Sequence, residues 1–115
     1  MILLSAASLL ERRGWTQGVS FDVRSKSFDL VGAMACSAGV TQRALGKSDL
    51  FALDLVAPAR RSAILFAWEA LEIKLDTDPE SWNDTKGRTA SEVISLLCTV
   101  STEIAIRSEF MKSFH

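Results

Sequence analysis

The chain is 115 residues long, 48% hydrophobic and 23% charged, with a formal net charge of -1 from 13 basic and 14 acidic side chains. That is the composition of one globular domain rather than of a disordered segment, and it excludes affinity for nucleic acid through a general excess of Lys and Arg. The one histidine is His115 and the two cysteines, Cys36 and Cys98, are far apart in sequence, which excludes most Ser/His/Asp and Cys/His nucleophiles, His-rich metal sites and an unaided structural zinc site.

Residues 2–13 are predicted to be helical: Leu3, Ala6, Ala7 and Leu10 share a stripe widened by Ile2 and Leu9, with Ser5, Ser8, Glu11 and Arg12 opposite. Gly14 is the expected stop. This start has no basic n-region, and Glu11-Arg12-Arg13 follows too soon for a signal peptide. It is also far short of the ~20 apolar residues that span a bilayer. A cytoplasmic protein with no membrane partner is expected.

Gly14-Trp15-Thr16-Gln17-Gly18 turns the chain. Val19, Phe21 and Val23 alternate with Ser20, Asp22 and Arg24, so a small β-hairpin is expected near residues 19–30, returning through Phe28-Asp29-Leu30. Residues 30–38 read as a helix whose Gly32, Ala33, Ala35 and Ala38 suit close packing, ended by Gly39. A short helical turn from Thr41 to Leu45 is closed by Gly46, and Ser48 or Asp49 caps a segment from Leu50 to Ala57. Pro58 opens the next helix, about 58–75. Its two stripes, Ile64/Trp68/Leu71/Leu75 and Ala63/Phe66/Ala70/Ile73, predict a central helix buried on two sides.

Asp76 to Glu80 ends that helix and starts a single turn. Thr89-Ala90-Ser91-Glu92 matches a capping box, and the helix it opens carries Val93, Leu96, Leu97, Val100 and Ile104 on one face, with Ile106, Phe110 and Phe114 beyond. The fold class is therefore mainly α: a single compact domain, residues 1–115, of about five helical segments with a small hairpin. Cys36 and Cys98 are expected to be buried free thiols.

The connection from Trp82 to Arg88 concentrates an aromatic, an Asx pair, a glycine and an arginine. Asn83 and Asp84 suit Asx-turns and Gly87 a positive φ. Arg88 has Asp84, Asp78 or another carboxylate to pair with. Two readings stand side by side: a latch that sets the angle of the last helix, or a recognition site at a helix N-terminus. Trp15, Thr16 and Gln17 follow the first helix while Trp82, Asn83 and Arg88 precede the last, and the two loops are expected to adjoin. The candidate binding residues are Trp15, Gln17, Trp82, Asn83, Asp84 and Arg88.

Gly14-Trp15-Thr16-Gln17-Gly18, Leu30-Val31-Gly32-Ala33, and Trp82-Asn83-Asp84 with Gly87-Arg88-Thr89 and Glu92-Val93 together resemble an uncharacterised bacterial domain family of unknown function. The resemblance spans nearly the whole chain and implies a shared fold unit but no activity. Phe28 and Asp29 stand where such proteins often have a cysteine, so any chemistry of that cysteine is missing.

No catalytic residue, metal ligand or cofactor is assigned. Carboxylate pairs exist (Glu69 with Glu72, Asp76 with Asp78), but charged helix faces and acidic caps explain them. The leading expectation is a non-enzymatic interaction or regulatory protein with a protein partner, as a homodimer through the C-terminal helix or as a phage or mobile-element inhibitor of a host system. The alternatives are a small-ligand binder or enzyme using the Trp15/Trp82–Arg88 region, and a nucleic-acid binder through Arg12-Arg13 and Arg60-Arg61.

Overall fold

In the computed structural model, which describes residues 1–47 and 51–112, the first helix, α1 (Ile2–Arg13), buries the predicted stripe of Leu3, Ala6, Ala7, Leu9 and Leu10. Gly14 stops it at φ 97°, its N–H donating to the Leu10 carbonyl at 2.9 Å. A residue with a Cβ is strained at that φ, which is why glycine ends the helix.

The hairpin is shorter than expected. β1 (Phe21–Asp22) pairs antiparallel with β2 (Ser27–Phe28), Phe21 opposite Phe28. Val19 and Val23 are exposed, so the period-two pattern marks no buried face. The returning strand ends at Phe28 because Asp29 caps a helix: its Oδ1 accepts from the Gly32 N–H at 2.6 Å. That helix, α2 (Leu30–Ser37), is the centre of the molecule, with Leu30 to Ala35 all buried. Its small residues permit close approach: a Cβ at Gly32 would lie 1.9 Å from the Ser20 carbonyl oxygen.

α3 (Gln42–Lys47) contains Gly46 instead of stopping there, and the Thr41 hydroxyl caps it by accepting from the Ala44 N–H at 3.1 Å. The expected caps Ser48 and Asp49 lie outside the described residues, as does Leu50. In place of a helix to Ala57 there is a 3₁₀ turn, Ala52–Leu55. Pro58 disfavours helical geometry at the residue before it, and Ala57 is accordingly extended.

α4 (Pro58–Leu75) has the predicted bounds but not the predicted burial. Only Ile64, Ala67 and Leu71 are buried, while Phe66 is 61% and Ile73 74% exposed. The reason is tertiary: α6 (Ala90–Lys112) packs chiefly on α1, not on α4, so the second stripe of α4 has no helix against it. α6 buries Val93, Leu97 and Val100, and beyond Ile104 its apolar residues Ile106, Phe110 and Met111 are exposed. Between them α5 (Pro79–Asn83) forms one turn, capped by Asp78. The chain is thus a mainly α domain of six helices and a two-stranded sheet among the described residues. None of those helices is long and apolar enough to cross a membrane.

Candidate functional site

α5 exists to place Asn83. The Asp78 carboxylate accepts from the Ser81 N–H at 2.9 Å and hydroxyl at 3.0 Å, Pro79 fills the first turn, and the helix ends with the Asn83 side chain driven inward, 0% exposed. On the other side Gly14 delivers Trp15 to the same place. Asn83 Oδ1 accepts from the Trp15 indole N–H at 2.6 Å and from the Leu30 N–H at 3.2 Å. Its Nδ2 donates to the Thr16 carbonyl at 3.3 Å and to Asp84 Oδ1 at 2.9 Å. One amide therefore joins α1's exit, α2's first turn and α5.

The neighbouring contacts repeat the theme. Gln17 Nε2 donates to the carbonyls of Asn83 and Thr85, both at 2.9 Å, and Gly18 N–H donates to Asp84 Oδ1 at 2.9 Å. The two loops do adjoin. Arg88 pairs with neither Asp84 nor Asp78. Its Nε donates to the Trp82 carbonyl at 3.0 Å, its Nη1 to Glu92 Oε2 at 2.9 Å, and its guanidinium lies 4.0 Å over the Trp82 ring. The capping box is present: Thr89 Oγ1 accepts from the Glu92 N–H at 3.2 Å while Glu92 Oε1 accepts from the Thr89 N–H at 3.1 Å. Hydrogen bonds from Arg88 and Thr89 hold the Glu92 carboxyl below its usual pKa. All six candidates, Trp15, Gln17, Trp82, Asn83, Asp84 and Arg88, thus gather in one region, where the side chains of Trp15, Gln17, Asn83 and Asp84 bond across the two loops while Arg88 holds Trp82 and Glu92.

Beside this region lies a polar cavity of about 490 Å³, walled by the Gly18–Phe21 segment, Phe51, Glu80, Asp84 and Asp29. Asp29 is 2% exposed. Burial raises its pKa to about 7, against the pull of the Gly32 N–H and with help from the negative charges of Asp84 and Glu80. Burial, then Asp78 and Asp84, also raises Glu80. Such walls favour a cation over an anion, but among the described residues no group of carboxylates, cysteines or histidines is placed to hold a metal ion. Asp29 and Glu80 were not predicted. The signal for Asp29 was its position immediately before a helical apolar run.

A second surface feature is apolar. Two hollows, about 290 and 480 Å³, share Phe66 and Ile104 and form one groove between α4 and α6 that continues to Met1 and Ile2 of α1. Phe66, Ala70 and Ile73 line its α4 side, and Lys74 bridges the helices to Glu103 at 2.6 Å. The thiols are free as expected but not buried: Cys36 is half-buried and Cys98 exposed, the latter facing away from α6's contact with α1. Burial raises the Cys36 thiol, with Arg13 opposing. Arg60 approaches the same end of α2, its Cδ 4.0 Å from a Cβ position at Gly39, so one arginine of each doublet, Arg13 and Arg60, lies near that C-terminus, where positive charge complements the helix dipole.

A family model described as a family of unknown function, DUF6197, matches residues 1–103. No curated protein and no solved structure matches the chain.

Proposed function

We propose that this chain, which belongs to the DUF6197 family of unknown function, acts by binding another protein through the groove between α4 and α6. One observation carries the reading: Phe66 and Ile73, 61% and 74% exposed, stand i, i+7 on one face of α4 and line an apolar groove that runs on to Met1 and Ile2 of α1. Contiguous apolar surface of this kind is the mark of an interaction face, and an amphipathic helix laid in a groove is a common way to cover it. The polar loop supports the reading by default, since its hydrogen-bonding groups are occupied within the fold. A non-enzymatic, regulatory role inside a bacterial cell belongs to the same proposal.

The test is photocrosslinking in the host cell at native expression. A benzoylphenylalanine replacing Ile73 is expected to give discrete adducts, while the same probe at Val23, exposed on the hairpin, gives none. No adduct at position 73, or the same adducts from both positions, would overturn the reading.

A further inference from the structure

We infer that the cleft between the hairpin and α3 is a second docking face, and that it takes an acidic peptide segment anchored by one apolar side chain. The cleft is separate from the groove between α4 and α6, and either can fail as a docking face without the other.

The fold sets unpaired cations around one apolar floor. Gln42, Arg43, Gly46 and Lys47 stand i, i+1, i+4, i+5 and so share a face of α3. β1 and the turn after it bring Phe21, Val23 and Lys26 to that face, and the residues together enclose a cleft of about 300 Å³. Its floor is the half-buried Phe21 ring, the exposed Val23 and the bare backbone of Gly46. A Cβ at Gly46 would lie 3.2 Å from Val23 Cγ2 and 3.6 Å from Phe21 Cδ2, so glycine keeps the floor open. Lys26, Arg43 and Lys47 are exposed around it, and none of their side chains takes part in an ion pair among the described residues.

The nearby carboxylates steer an anion to this rim. Asp22, on the same hairpin, is held by the turn: its Oδ1 accepts from the Arg24 N–H at 3.1 Å and its Oδ2 from the Ser25 hydroxyl at 3.0 Å. Phe21 and Gly46 also border the polar cavity that holds Asp29, Glu80 and Asp84. An anionic segment is repelled on one side of Phe21 and attracted on the other, which fixes where its charges settle.

Lys26 occupies its place at a conformational cost. Its φ of 57° lies in the left-handed region that glycine adopts more readily. Its N–H closes the turn by donating to the Asp22 carbonyl at 2.7 Å, a bond that glycine would make equally well. The turn therefore does not account for a lysine, whereas a cation wanted at this rim does. Gln42 favours a peptide over other polyanions. Its half-buried side chain lines the cleft with a donor and an acceptor, neither of them bonded among the described residues. A peptide backbone offers the matching acceptor and donor, while a phosphodiester backbone offers acceptors alone.

The test is fluorescence anisotropy of the purified full chain with a fluorescein-labelled Glu-Glu-Leu repeat peptide. Saturable binding that weakens with added salt is expected. A Glu-Glu-Ser repeat is expected to bind about fivefold more weakly, because its anchoring side chain is gone. Arg43→Glu is expected to weaken binding about tenfold at the parental melting temperature, since reversal removes one attraction and adds one repulsion. Arg12→Glu, the same charge change on α1, should stay within about twofold of the parent. Lys26→Gly is expected to weaken binding about threefold while the melting temperature holds or rises, the opposite of what a structural lysine would give. Val23→Trp fills the floor with every charge in place and is expected to erase the advantage of leucine over serine. Benzoylphenylalanine at that position closes the floor in the same way and so captures nothing there. No saturable binding at low salt, equal binding of the leucine and serine peptides, or equal losses from Arg12→Glu and Arg43→Glu overturns the inference. Tighter binding of oligothymidylate or of phosphatidylserine vesicles, lost in Arg43→Glu, overturns it as well by giving the cleft a different polyanion.

Discussion

Replacing Asn83 with alanine would strip the acceptor from the Trp15 indole N–H and the Leu30 N–H at a position that is 0% exposed. A buried donor left unpaired costs about 1–3 kcal/mol. We expect Asn83→Ala to lose about 2–4 kcal/mol and its melting temperature to fall by roughly 10 °C or more, read by circular dichroism. Arg88→Ala, which removes the hydrogen bond to the Trp82 carbonyl, a ring contact and the ion pair with Glu92, should cost about 1–2 kcal/mol, less than Asn83→Ala. An Asn83→Ala protein as stable as the parent would show that this amide is held for something other than the fold. Asp29 makes a second prediction, in pH. Its folded pKa of about 7 lies above the ordinary carboxyl value of 3.8, so between those values the folded state keeps a proton that the unfolded chain releases. Its contribution to stability is full below the lower value and is lost as pH rises through the upper one. The parent should therefore melt higher at pH 5 than at pH 8, and Asp29→Asn, which still caps α2, should narrow that gap. An unchanged gap would assign the pH dependence to other groups.

The elements were legible to different degrees, and the differences have physical causes. α1, α2, α4 and α6 follow from periodicity and from stop and start signals, Gly14, Pro58 and the Thr89–Glu92 box among them. The hairpin was overextended because Val19 and Val23 alternate correctly but face solvent, and a two-residue ladder imposes no face. The helix expected to run to Ala57 does not reach it: Pro58 disfavours helical geometry at Ala57, and a 3₁₀ turn, Ala52–Leu55, stands in its place. Gly32 is the most demanding position in any element, since a Cβ there would meet the Ser20 carbonyl at 1.9 Å and backbone, not a movable side chain, would have to yield. Gly32→Ala should cost about 3 kcal/mol or more, whereas Gly46→Ala, whose nearest neighbour is the exposed Val23 side chain at 3.2 Å, should stay within about 1 kcal/mol. Equal losses by urea denaturation would contradict the close approach of α2 to the hairpin.

At the scale of the molecule, the arrangement of α6 decides what the surface offers. It is 23 residues long, lies mainly on α1, and stretches the domain to 49 × 34 × 25 Å. By doing so it leaves α4 half covered and opens the groove. The last buried residue of α6 is Ser101, and Ile106, Phe110 and Met111 further along the helix are exposed. The polar cavity beside Asp29 arises from the same economy of contacts at the opposite loops, where β1, the Phe51 turn and α5 converge without filling the space between them.

Local signals determined the helical class, most element boundaries, the capping box and the polar loop as a unit, because caps, stops and periodicity act over a few residues. That Trp15 and Gln17 meet Asn83 was expected from two helix ends, but the acceptor of each donor was not, since hydrogen bonds spanning 66 to 68 residues leave no local trace. Tertiary structure alone decided that α2 and not α4 is central. Both are apolar enough to be buried, but α2 is covered by α1, the 3₁₀ turn and α5, whereas α6 docks on α1 and leaves one stripe of α4 open. It also decided that Asp29 is a buried acid and that Phe66 and Ile73 face solvent, because burial is a property of neighbours that the sequence of one element does not contain.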